Sequence, residues 1–192
     1  MIVFILSPKN SGLKKYKEIA FSNLDNVEAS RIVIARGEDI PFLVKQYLKK
    51  GKNAIGLTGE DLFLDFSVSN EGNGVKVLRK IEWQDESAMF GKPALCLLGS
   101  KGTKLNKLPN GATVYISSKY KNIASKYLEK FEEQGVKFNK IYINGCVETN
   151  IVEGLADLVI DIVYTGRSIK ESNLKILEKI TESDFVIIGD SK

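Results

Sequence analysis

The chain has 192 residues, 43% of them hydrophobic and 27% charged, with a formal charge of +4 and no histidine. That composition belongs to a globular domain, or to two small lobes with real cores, and excludes a disordered chain. The missing histidine excludes Ser-His-Asp and Cys-His catalysis and histidine-ligated metals, leaving chemistry built on positioning, charge and hard cations held by oxygen.

The opening MIVFILSPKN is apolar but too short to cross a bilayer and has no basic residue before its apolar run, so it reads as a buried first strand over Ile2 to Leu6. No other run approaches membrane-spanning length. A helix is expected from Gly12 to Phe21, a second strand from Arg31 to Ala35, and a helix from Ile40 to Lys50 with Asp39 as N-cap and Pro41 early in its first turn. NAIGL, Asn53 to Leu57, reads as a third strand. Glu60 to Phe66 reads as a short helix turning Leu62, Phe63 and Phe66 inward, Ser67 to Val75 as a loop, and Val75 to Trp83 as a strand.

From Gly91 the composition changes. ALCLL reads as a central strand, Lys101 to Gly111 as a lysine-rich solvated loop, and ATVYIS as a strand. A helix from Asn122 to Gln134 and a strand from Lys140 to Ile143 follow. LVIDIV, Leu158 to Val163, leads through Thr165 and Gly166 into a short helix ending near Asn173. Strand-like runs at Leu174 to Ile180 and Phe185 to Ile188 close the chain. Strands alternating with helices imply α/β architecture with mainly parallel sheets. The expected division is lobe I over 1–90 plus about 180–192 and lobe II over 91–179, with a ligand cleft between the lobes.

Lysine dominates the positive charge, and no basic cluster interleaved with aromatics appears, so neither nucleic acid nor a membrane is an expected partner. Cys96 and Cys146 lack metal-like spacing and read as free thiols of a cytoplasmic protein. Polar residues follow the strands in SPKNSG, ARGEDIP, LTGED and DIVYTGRS. The last of these places a glycine, a cation and two hydroxyls at a helix start, where unpaired amides and the helix dipole favour an anion. Thr165, Gly166, Arg167 and Ser168 are therefore candidate phosphate ligands. The same four residues also suit an ordinary capped turn.

At these residues the chain resembles the ATP phosphoribosyltransferase family. The run GCVETNIVEGLADLVIDIVYTGRSIKESN, Gly145 to Asn173, is similar to the family's phosphoribosyl-diphosphate signature, with Ser168 in place of threonine and Ile169 in place of leucine. ARGEDIP, AIGLTGEDL, MFGKPAL and ISSKYKNIASKYLEK resemble its upstream motifs. The resemblance implies two periplasmic-binding-protein-like lobes and transfer of phosphoribosyl from phosphoribosyl diphosphate to N1 of ATP. It implies Lys9, Arg36, Glu148 and Asp161 as catalytic groups and Gly59, Asp61 and Asp157 as nucleotide or ribose contacts. It implies Mg2+ arriving with the diphosphate rather than on a protein-built metal site. Short-form members imply a homodimer or larger assembly and a separate regulatory subunit similar to histidyl-tRNA synthetase. Two loops depart from the pattern. SPKNSG lacks one glycine and one arginine, and Glu38 stands where the family has a second arginine. Those departures suit an alternative of another class, a cytoplasmic sensor that binds a nucleotide or phosphorylated sugar without turnover.

Overall fold

A computed structural model describes residues 2–7, 18, 22, 29–72, 74–145, 151 and 153–190. The helix expected at 12–21, Lys9, Cys146 and Glu148 thus lie outside the described residues, save for Glu18. The chain divides into two units, 1–83 with 184–192, and 84–183.

In the first unit, β1 (Ile2–Leu6), β2 (Ala29–Ile34), β3 (Asn53–Gly59), β4 (Val75–Ile81) and β10 (Phe185–Asp190) form one sheet in the order β2-β1-β3-β10-β4. β2, β1 and β3 pair in parallel, while β10 is antiparallel to both of its neighbours. Four strands therefore share one direction and β10 alone is reversed. α1 (Ile40–Lys49) and α2 (Glu60–Val68) belong to the same unit. Alternate strand residues Val3, Ile5, Val186 and Ile188 join Ile40, Val44, Phe63 and Phe66 in one buried cluster. Gly56 allows the close approach of helix to strand: a Cβ there would stand 2.6 Å from Ile40 Cγ2 and 2.8 Å from Val44 Cγ2.

The second unit repeats the design. β5 (Ala94–Ser100), β6 (Ala112–Ser117), β7 (Phe138–Ile143), β8 (Leu158–Val163) and β9 (Leu174–Glu182) form a sheet in the order β7-β6-β8-β5-β9. β6 is parallel to β7 and β8, and β5 is the single reversed strand. Six of the seven residues of β5 are buried, as its central place requires. Leu95, Leu97, Val114, Ile116, Leu158 and Ile160 are fully buried, and each such side chain contributes about 1.5–3 kcal/mol on removal from water. α3 (Lys121–Glu132) buries Ala124 and Leu128, and α4 (Arg167–Glu171) buries Ile169.

Several local expectations need correction. Asp39 makes no side-chain cap, because Gly37–Asp39 forms a 3-10 turn that runs directly into α1. β4 stops at Ile81 and β7 begins at Phe138. β10 returns to the first sheet, and β9 stays in the second, paired along its length with β5. The units change over between Trp83 and Gln84 and between Ser183 and Asp184.

Cys96 is fully buried, and that burial pushes its thiol up to about 12, with Lys179 opposing the shift. A thiol held protonated in the core is a poor nucleophile. In a Cys146→Ser background, a thiol-specific reagent at pH 8 should leave Cys96 unmodified in the native chain and titrate it within minutes once denaturant is added. Rapid native labelling would contradict this burial.

Candidate functional site

The shared strand direction decides where the polar loops gather. In the first unit β1, β2 and β3 end at one edge, as the pairings of Leu6 with Ile34 and with Leu57 show. Arg36 and Asp61 follow those strand ends, and Gly59 is the last residue of β3. Arg36 is exposed in extended conformation (φ -63°, ψ 149°), ahead of the turn at Gly37. The Thr58 hydroxyl donates to the Gly37 carbonyl at 2.9 Å and so ties the loop after β2 to the end of β3. Gly59 is the N-cap of α2 without a side-chain cap, and Asp61 lies in its first turn with only 6% exposure. A carboxylate there is favoured by the helix dipole. Arg36 forms no ion pair with Glu38, Asp39 or any other described residue.

In the second unit the carboxyl ends of β6, β7 and β8 share an edge with the start of β5, since Ser117 pairs with Ile143 and Ala94 with Val163. The loop after β8 lies at that edge. Gly166 is buried and adopts φ 72°, the left-handed region that glycine enters without strain, and it serves as N-cap of α4. Thr165, Arg167 and Ser168 are exposed. Thr165 Oγ1 accepts a long bond from the Arg167 amide at 3.4 Å. The Arg167 guanidinium donates to Glu171 at 2.9 Å in a solvent-exposed pair. Such a pair is worth only about 0.3–0.5 kcal/mol, so an anion can recruit the arginine readily. Asp161 lies within β8 rather than at its end. It pairs in register with Cys96 and accepts from the Ile162 amide at 2.8 Å.

Asp157 is placed elsewhere. It precedes β8, so the length of that strand, about 20 Å at ~3.3 Å per residue, separates it from the Thr165–Ser168 loop. Its carboxylate accepts from the Thr113 amide at 2.7 Å and its own amide donates to the Thr113 carbonyl at 2.9 Å. It is a strand-entry clamp between β6 and β8. A depression of about 620 Å³ opens at this amino edge, beside Lys104, Lys107 and Asp157. It is the wrong end of the sheet for the signature loop. The described residues thus bring Asp161 and Thr165–Ser168 together in one unit and Arg36, Gly59 and Asp61 in the other. Sequence reading gave no role to Asp85, Met89 or Tyr164: Met89 lies against Gly166 and its amide donates to the Tyr164 carbonyl, and the Tyr164 hydroxyl donates to Asp85.

Comparison with known proteins settles the family. The ATP phosphoribosyltransferase family model matches residues 36–192. The chain belongs to the ATP phosphoribosyltransferase family. Among curated relatives of that name, the protein of Clostridioides difficile is 28% identical over 189 residues, covering 95% of this chain and 83% of the relative. That of Dictyoglomus thermophilum is 30% identical over 163 residues, covering 85% and 69%. The ATP phosphoribosyl transferase HisG:HisZ complex from Thermotoga maritima superposes with a TM-score of 0.71 at 22% identity, over 99% of this chain and 88% of that one. The periplasmic aliphatic sulphonate binding protein SsuA from Escherichia coli shares the fold at a TM-score of 0.58 and 12% identity, over 99% of this chain and 61% of that one. The chain is accordingly a transferase with a periplasmic-binding-protein-like fold. None of its described helices is long and apolar enough to cross a membrane.

Proposed function

We propose that this chain transfers the phosphoribosyl group of phosphoribosyl diphosphate to N1 of ATP, releasing diphosphate in the first step of histidine biosynthesis. The observation that carries the reading is the family signature folded as a strand, a left-handed glycine and a helix start at the carboxyl edge of its sheet. The Thr165 and Ser168 hydroxyls, the amides of Gly166 to Ser168 and the Arg167 guanidinium hold the 5′-phosphate. Asp161 and Glu148 orient the ribose hydroxyls. As the C1–O bond to diphosphate breaks, C1 gains oxocarbenium character and N1 of ATP supplies the electron pair of the new bond. Lys9 and Arg36 neutralise the departing diphosphate. Gly59 and Asp61 at the start of α2 contact the nucleotide.

Mg2+ enters with the substrate. The diphosphate itself offers the hard oxygen donors the ion prefers. The reaction needs no protein histidine, in keeping with the composition. Its substrates place it in the cytoplasm. The Thermotoga neighbour is a complex of HisG with HisZ. The corresponding proposal here is a homodimer or larger assembly acting with a separate regulatory subunit similar to histidyl-tRNA synthetase.

The test is incubation with ATP, phosphoribosyl diphosphate and Mg2+, followed by detection of phosphoribosyl-ATP and diphosphate in equal amounts. Absence of product, with a candidate regulatory subunit also present, overturns the catalytic reading. Light scattering at micromolar concentration tests the assembly, and a monodisperse monomer defeats it.

A further inference from the structure

The Thr165–Ser168 loop does not hold itself. Its one internal side-chain bond is the long contact from the Arg167 amide to Thr165 Oγ1, and the helix that follows has five residues. Its order comes from a segment some eighty positions earlier. The Met89 amide donates to the Tyr164 carbonyl at 2.7 Å, and Met89 Sδ lies 3.1 Å from where a Cβ on Gly166 would stand. The Tyr164 hydroxyl donates to Asp85 Oδ2. Asp85 is fixed in turn. Its Oδ1 accepts from the Ser87 amide at 2.8 Å and the Ser87 hydroxyl at 2.7 Å, and its amide donates to the Gly91 carbonyl at 2.9 Å. Amides of Ala88 and Gly91 close the turn by donating to the carbonyls of Asp85 and Ala88, each at 3.0 Å. Buried Ala88 and the packing of Phe90 on the cluster of Cys96, Val159 and Ile169 seat this turn on the sheet.

We propose that Asp85 and Tyr164 form a clasp that positions the anion-binding loop, so that both are positioning residues for the 5′-phosphate of phosphoribosyl diphosphate. The inference rests on the reading of that loop given above. Tyr164 joins the last residue of β8 to Thr165, and it is held at its carbonyl by Met89 and at its hydroxyl by Asp85. Holding one residue at both points removes the rotation that would swing the Thr165 hydroxyl and the following amides away from a bound phosphate. Without it, the ligand must order the loop, and that ordering is lost from its affinity.

The experiment uses the full chain, with the regulatory subunit where turnover needs it. It measures KM for each substrate, kcat, and phosphoribosyl diphosphate binding by calorimetry. Tyr164→Phe removes only the hydroxyl and Asp85→Ala removes the acceptor. Each should raise KM and Kd for phosphoribosyl diphosphate about tenfold, with kcat and KM for ATP within about twofold of wild type. The double variant should be no worse than either single one. Asp85→Asn keeps the acceptor for Ser87 and offers an amide to the phenol oxygen, so it should recover to within about threefold of wild type. Unchanged affinity in folded Tyr164→Phe, or equal losses for both substrates, overturns the clasp while leaving the transferase reading intact. A wild-type chain that does not bind phosphoribosyl diphosphate at all sinks both.

Discussion

Gly166→Ala is expected to weaken phosphoribosyl diphosphate binding about 100-fold or more, while costing the fold only about 1–2 kcal/mol. At φ 72° an L-residue carries its Cβ against its own carbonyl, which sets the modest stability cost. The new methyl would also stand 3.1 Å from Met89 Sδ. Met89 is a flexible, half-exposed side chain and can shift, so backbone strain is the larger part. Relief of that strain rotates the amides at 166–168, and a phosphate site built from amides loses its geometry when they turn. Calorimetry with phosphoribosyl diphosphate and a denaturant titration separate the two effects. A Gly166→Ala/Met89→Ala double variant should recover little affinity. Full recovery would assign the damage to the methionine contact instead, and wild-type affinity in Gly166→Ala would refute the loop as the phosphate site.

Asp184→Ala is expected to lower the unfolding free energy by about 2–3 kcal/mol. Asp184 begins the final segment, is 5% exposed, and serves two partners. Oδ1 accepts from the buried Trp83 amide at 2.9 Å, and Oδ2 pairs with Lys80 at 3.0 Å. Lys80 also meets Glu60 at 2.7 Å, and the Glu60 amide donates to the Asp184 carbonyl at 2.8 Å. Removing the carboxylate orphans a buried amide, which is the main cost. Asp184→Asn keeps an acceptor for Trp83 and should lose about 1 kcal/mol. Lys80 is half exposed, so Lys80→Met should matter less than either.

Hydrogen bonds from Lys80 to Glu60, then to Asp184, hold the lysine pKa above its ordinary 10.5. A raised pKa means the contribution is fully present below 10.5 and fades as pH climbs through the folded value. The stability gap between wild type and Lys80→Met should therefore be flat from pH 6 to 9 and close only in strong alkali. Denaturant midpoints across that range measure it, and a gap that closes near neutral pH would contradict the assignment.

Much of the second unit was legible in the linear chain. A short, nearly continuous apolar run such as LVIDIV marks a buried strand, and a glycine followed by a helix-forming run marks a turn into a helix. Both signals span only a few residues, so β8, Gly166 and α4 were readable without a fold, and the signature they carry identified the family. Arg36, Gly59 and Asp61 were named from the family resemblance, and the structure places them near the ends of strands that run in one direction.

What the linear chain left undecided was set by pairing across distance. Asp157 belongs to the family-like run GLAD, Gly154 to Asp157, just ahead of β8. The length of that strand separates it from the Thr165–Ser168 loop, and its carboxylate lies on Thr113 at the opposite edge. Leu174 to Glu182 and Phe185 to Asp190 look alike as apolar strands, yet one stays with β5 and the other crosses to β3 and β4. The reversed direction of β5 and β10 has no local signature either, since an antiparallel and a parallel strand share the same alternation. The hold on the anion loop joins Asp85 to Tyr164 across 79 positions. Periodicity and turn chemistry are properties of neighbouring residues and were determined by the sequence alone. Ladder partners, strand direction and the company kept by Gly166 depend on which distant segments hydrogen-bond, and only the tertiary structure decided them.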